Sequence, residues 1–243
     1  SCARQDESVE TPAMLLAGNN ALGIQVNQQG GAITALWLKS DSLNFLNWSL
    51  TREEMPENNR EGAPFEGHFL CYGRWGAPTK GEIAEGIPHN GQHNNLNWDY
   101  QLSEEGRKLR MSVYAKKDQV SIERTIAFAP LHPVYTVEEQ FTHRSATGRI
   151  SNVVQHVTLG PPYLSSQTCF YTNAGHGFLQ ENAMPDPYEY AFEWPDGRDA
   201  SGNAIDLEAF DTSRNYVSTH IFADSTGWVV AFDPASMCFT GYV

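Results

Sequence analysis

The sequence has 243 residues, 40% hydrophobic and 19% charged, enough to bury the core of one large or two small domains. Its 16 Lys and Arg against 29 Asp and Glu give a formal net charge of -13. With no cluster of cations, that balance argues against a nucleic-acid backbone as partner. No apolar run approaches the roughly 18 residues that a membrane-spanning helix needs.

Residues 1–20 are expected to be a tether or lead-in, with the folded domain over residues 21–243. Cys2 follows a serine and precedes the polar run Arg4, Gln5, Asp6, Glu7 and Ser8. A small residue, a cysteine and a polar tether resemble the processing site of a bacterial lipoprotein. Acylation at Cys2 would then anchor the protein in the periplasm or at the cell surface, on a membrane it does not span. The other cysteines, Cys71, Cys169 and Cys238, complete no CxxC spacing, so no zinc site is expected.

Ala21–Asn27 and Ala32–Leu38 alternate across Gln28-Gln29-Gly30-Gly31 and predict a hairpin. Arg52–Glu66 is charged and loop-like, and Phe65–Gly76 is aromatic and glycine-rich. Thr79–Asn97 lacks apolar periodicity; a loop of that length inside a domain is commonly functional. Leu96–Leu102, Leu109–Ala115, Val120–Phe128 and Val134–His143 alternate as strands, with Val120, Ile122, Ile126 and Phe128 on one face. Gln180–Phe210 is irregular and acidic. Tyr216–Ala223, Gly227–Phe232 and Met237–Val243 are predicted strands. Many short strands without a long helix indicate an all-β sandwich or barrel.

The strand Asn152–Thr158 lines Asn152, Val154, His156 and Thr158 along one face, before Gly160-Pro161-Pro162 ends it. An amide, an imidazole and a hydroxyl in a row suit the floor of a polar cleft; a core histidine bonded to a backbone carbonyl is the alternative. Two further motifs stand out. Gly73-Arg74 places a planar donor fork beside Tyr72 and Trp75. Pro88–Trp98, PHNGQHNNLNW, gathers two histidines and four asparagines, donors and acceptors suited to hydroxyl groups. His89 and His93 are four apart, but Gly91 between them disfavours the helix a metal pair would need, so no metal is assigned. Trp75 and Trp194 fall in loops and rank above the other tryptophans as sugar platforms.

The order of these motifs, from Gly30–Thr34 through Gly73-Arg74 and Pro88–Trp98 to the strand ending in His156, resembles aldose 1-epimerases, the galactose mutarotase-like β-sandwich. The resemblance runs from about Leu22 onward. It implies that Arg74 binds substrate and that His156 is the general acid. It also implies a histidine eight residues before Trp98, where this chain has Asn90, with His89 and His93 as neighbours. An asparagine binds a sugar hydroxyl but moves no proton at neutral pH. The family's base is a glutamate on a late strand. No glutamate here, among Glu82, Glu85, Glu138, Glu139 and Glu193, sits in a matching motif, and the domain is expected to stop short of full length at Val243.

The reaction so implied is interconversion of the α and β anomers of a free aldose. A base takes the anomeric proton while an acid protonates the ring oxygen, with no metal or organic cofactor. The expected partner is a mono- or oligosaccharide, bound by Arg74, Trp75, His89, Asn90 and His93 around the catalytic His156. The alternatives are a non-catalytic sugar-binding module, or the β-sandwich domain of a larger glycoside hydrolase or lyase.

Overall fold

A computed structural model describes residues 12–103, 105–148, 150–180, 191–199, 201–222 and 224–243. Cys2 and its expected tether lie outside these residues. The chain divides into two compact units, Ser1–Gly160 and Pro161–Val243, where one domain was expected over residues 21–243.

The first unit runs through β1 (Met14–Gly18), β2 (Leu22–Asn27), β3 (Ile33–Leu38), β4 (His68–Gly73), the short helix α1 (Lys80–Ala84), β5 (Asp99–Leu102), β6 (Lys108–Ala115), β7 (Val120–Phe128), β8 (Tyr135–His143) and β9 (Asn152–Val157). β1 falls inside the stretch expected as lead-in: Leu15 and Ala17 are buried and the strand pairs in register with β2, so the fold begins earlier than its polar start suggests. The strands form two antiparallel sheets, ordered β1-β2-β3-β4-β9 and β5-β6-β7-β8. Alternation places Ile24, Val26, Leu70, Leu109, Val120, Ile122 and Ile126 in the core. Across the sandwich, Tyr72 of β4 stacks on Phe141 of β8 with centroids 5.5 Å apart.

β4 is buried on both faces, and so reads as a continuous apolar run, HFLCYG, instead of an alternating one. Its second face packs Phe69 and Cys71 against Ala32, Met55 and Phe65, with Trp48, Leu50 and Val154 alongside. The charged stretch Arg52–Glu66 thus contributes Met55 and Phe65 to this second apolar layer. α1 has five residues and starts on a capping box between Thr79 and Glu82.

The second unit contains β10 (Cys169–Thr172), β11 (Ala174–Leu179), β12 (Phe192–Glu193), β13 (Asp196–Arg198), β14 (Ala204–Asp206), β15 (Ser218–Phe222), β16 (Val229–Asp233) and β17 (Cys238–Tyr242). They pair as β10-β16-β17, β12-β11-β15 and β13-β14. Part of the stretch expected to be irregular therefore forms short strands. Leu179, Phe192, Ile205 and Leu207 make a core against which Trp194 and Tyr216 pack. Trp194, expected in a loop as a sugar platform, is partly buried against this core.

Candidate functional site

β4 and β9 pair with Phe69 opposite His156 and Leu70 opposite Gln155. The two faces of β9 are therefore different places. His156 and Val154 share a face with Phe69 and Cys71, while Gln155 shares the other with His68, Leu70 and Tyr72.

On the first face the His156 imidazole stacks on Phe69, centroids 4.5 Å apart at 21°. The Trp75 ring lies 6.2 Å from it, tilted by 31°. Nδ1 of His156 is 3.1 Å from the Thr158 hydroxyl oxygen. Burial lowers the pKa of this half-buried imidazole below its ordinary value near 6.5, so the ring is mostly neutral at pH 7. Trp75 is 47% exposed, which leaves an aromatic face open beside a titratable ring.

Gly73 sets this up. Its φ of 84° is a left-handed backbone that glycine adopts without strain, and the chain turns out of β4 there. The next two residues then part. Trp75 lies by His156, and Arg74 reaches α1, where its Nε donates to Glu82 Oε2 at 2.9 Å. The same oxygen accepts from the Thr79 N–H and hydroxyl at 2.7 and 2.8 Å. Desolvation acts the other way, but these bonds and the Arg74 charge hold the Glu82 carboxyl below its usual range. The Arg74 side chain is 40% exposed, and its terminal nitrogens make no hydrogen bond or ion pair among the described residues.

The amide-rich loop serves mainly the backbone. Asn90 is buried at φ 60°, a region asparagine tolerates. Its side-chain oxygen accepts the Gly76 N–H at 2.7 Å, and its carbonyl accepts the Tyr72 N–H at 3.0 Å. His89 has its Nδ1 3.0 Å from Asn58 Oδ1 and donates its backbone N–H to Asn59. His93 is fully buried, and its Nε2–H donates to the Leu70 carbonyl at 2.9 Å. Desolvation pushes its pKa down to about 3. A Cβ on Gly91 would sit 2.9 Å from the His93 ring, so the glycine is what lets the loop close over it.

The structure thus brings Trp75 to His156, and Asn90 to Gly76, the residue after Trp75. No hydrogen bond, ion pair or ring contact joins Arg74, His89, Asn90 or His93 to His156 among the described residues. No glutamate touches His156 there either. Glu82 is held by Arg74, Glu193 pairs with His176 at 2.9 Å in the second unit, and Glu138 is exposed on β8. Among the described residues no group of His, Cys, Asp or Glu is arranged to hold a metal.

Glu139 belongs to the opposite face of β9. It sits directly across from Arg124 in the β7–β8 ladder, and Arg124 Nε donates to its Oε1 at 2.7 Å, both side chains nearly inaccessible. Its other oxygen accepts from Gln155 Nε2, and Gln155 Oε1 accepts from His68 Nε2 at 2.9 Å. Arg124 also donates to the Gly31 carbonyl and lies 5.0 Å over the Trp98 ring. Desolvation and the Arg124 charge lower the His68 pKa to about 4. This network was legible in principle: Arg124 is a lone charge on the apolar face between Ile122 and Ile126.

No protein-family model and no curated protein matches the sequence. Solved structures do match its fold. A galactose mutarotase-like protein from Lactobacillus casei ATCC 334 is 10% identical with a TM-score of 0.53, covering 92% of this chain and 76% of its own. A candidate aldose 1-epimerase from Escherichia coli K12 is 12% identical with a TM-score of 0.50, covering 93% and 75%. A candidate mutarotase from Salmonella typhimurium is 9% identical with a TM-score of 0.51, covering 93% and 65%. At these identities the likeness concerns the fold: the chain is a galactose mutarotase-like β-sandwich.

Proposed function

We propose that this chain is a carbohydrate-binding protein of the mutarotase type, taking a sugar on the face of β9 that carries His156. The observation that supports this is the exposed Trp75 ring beside the His156–Phe69 stack. An aromatic face binds the C–H side of a pyranose, and an imidazole next to it reaches a ring or anomeric oxygen. Arg74, oriented by Glu82, adds a donor for hydroxyls that do not react. In the aldose 1-epimerase reading, His156 protonates the ring oxygen while a carboxylate removes the anomeric proton. Ring opening, rotation and closure then exchange the anomers.

The non-catalytic reading is favoured by one observation. Glu139, the carboxylate that reaches β9 through Gln155, is committed to Arg124 and Gln155 on the other face of the strand. Polarimetry of freshly dissolved α-glucose and α-galactose, with sugar binding followed by tryptophan fluorescence, separates the two. A mutarotase accelerates equilibration, and His156→Ala lowers the rate about 100- to 10,000-fold. Its rate also rises as pH falls below 7, because the lowered His156 pKa leaves little acid form at neutrality. Binding without acceleration establishes the module. Neither binding nor acceleration with any common aldose overturns the proposal. Tethering through Cys2 and a periplasmic or cell-surface location are part of the same proposal; palmitate labelling of the full-length protein in a bacterial host, lost in Cys2→Ser, tests them.

A further inference from the structure

A cavity of about 370 Å³ opens in the first unit where three segments meet. They are α1 with the residues just after it, the β6–β7 turn, and the segment following β8. Hydrogen bonds fix the walls in advance. Lys117 Nζ donates to the Gly86 carbonyl at 2.8 Å, and its backbone N–H donates to Gln92 Oε1 at 2.7 Å. Asp118 Oδ2 accepts the Gln92 N–H at 2.7 Å. The Arg144 N–H donates to the Gln119 carbonyl at 2.7 Å, and the Thr147 N–H to the Ser145 hydroxyl oxygen at 3.1 Å. The cavity is thus bounded by backbone that is already ordered, which lowers the entropy a ligand has to overcome.

The groups left over have a definite chemistry. Glu85, Gln119 and Thr147 line the cavity with side chains that make no hydrogen bond among the described residues. Lys117 keeps two further N–H donors, and Ser145 keeps its O–H. An anion would meet the carboxylates of Glu82, Glu85 and Asp118, and a cation would meet the Lys117 ammonium, itself held at the Gly86 carbonyl. A neutral ligand whose hydroxyls both donate and accept satisfies all of them together. Ile87, itself 8% exposed, is the one large apolar wall, so no flat aromatic ligand is favoured. The volume lies at the lower end of the range for small-molecule sites, roughly 300–1,000 Å³, which suits one or two sugar units.

We infer that this cavity is a second saccharide site, distinct from the His156 face, that holds a neutral, hydroxyl-rich sugar unit between Glu85, Lys117, Gln119 and Thr147. It shares a ligand class with the function proposed above but does not depend on His156 or Trp75. The two places adjoin through one group: Glu82 lines the cavity and holds Arg74.

Amide-resolved NMR of the full chain, titrated with glucose and then with maltose, tests the assignment. The amides of Gln119, Ser145 and Thr147 should shift and saturate. Glu85→Gln and Thr147→Val should each weaken that titration about tenfold, the value of one hydrogen bond, without lowering the denaturation midpoint. Trp75→Ala should leave it unchanged. Shifts in these three amides with Trp75 and His156 silent would uphold the second site and defeat the His156 reading. Shifts confined to Trp75 and His156, no shifts with either sugar, or titrations indifferent to both cavity variants would overturn the second site.

Discussion

Gln155 and His156 are neighbours in one strand, yet they belong to two kinds of surface. Gln155 is bonded on both sides, to His68 and to Glu139, and through Glu139 to Arg124. His156 keeps stacking contacts and a single bond to a hydroxyl two residues away. The difference teaches how this sandwich divides its polar groups. On the face toward the second sheet, the buried Arg124, Glu139 and His68 are paired with one another or with the exposed Gln155, because an unpaired buried charge there would be costly. Polar groups on the other face are left partly open to solvent, where a ligand can use them. The same contrast holds between histidines: His93 is locked onto a backbone carbonyl in the core, and His156 remains half-exposed.

The largest effect should come from breaking the saturated side. Arg124→Ala leaves Glu139 buried without its cation, and the expected loss is about 3–5 kcal/mol in urea denaturation at pH 7. A loss below about 1 kcal/mol would mean that the network tolerates solvent and that the two faces differ less than their geometry indicates.

The pH dependence of stability sharpens the comparison next. His68 and His93 have folded pKa values of about 4 and about 3, below the ordinary 6.5 that the unfolded chain regains. Between those values the unfolded chain binds more protons. Their contribution is therefore complete above pH 6.5 and declines as pH falls toward 4, by up to about 1.4 kcal/mol per pH unit for each group. Denaturation midpoints measured across that range should fall accordingly. In NMR titrations the His93 ring should stay neutral while that of His156 protonates first. Simultaneous titration of both rings would erase the distinction.

The smallest effect should be the most telling. His156→Ala removes a ring stack on Phe69, worth about 1 kcal/mol of stability. A protein that loses sugar binding while its denaturation midpoint barely moves has an open face at His156. A loss of several kcal/mol would place His156 with the structural histidines instead.

Much of the sandwich was written in local patterns. The hairpin of β2 and β3 and the run from β6 through β8 follow from period-2 alternation, since a half-buried strand shows one apolar side, while the strand bearing His156 was read with polar residues on both faces before its Gly-Pro-Pro break. β4 escaped that pattern because both its faces are buried, and β1 because it is short and its exposed positions, Met14 and Leu16, are apolar too. What alternation cannot convey is which remote group a polar side chain will satisfy. The composition of Pro88–Trp98 suggested hydroxyl binding, yet its amides and imidazoles mostly answer backbone donors and acceptors. Asn90 meets Gly76, and His93 meets Leu70, 23 residues away. The sequence by itself determined an all-β chain with a polar strand at His156 and a flexible-looking loop rich in amides. Only the tertiary structure decided that Trp75 would flank His156 while Arg74 turned to α1, and that Glu139 would lie behind the strand. The reason is physical: buried polar groups must be paired, and the partners lie on strands brought together only by the sheet register.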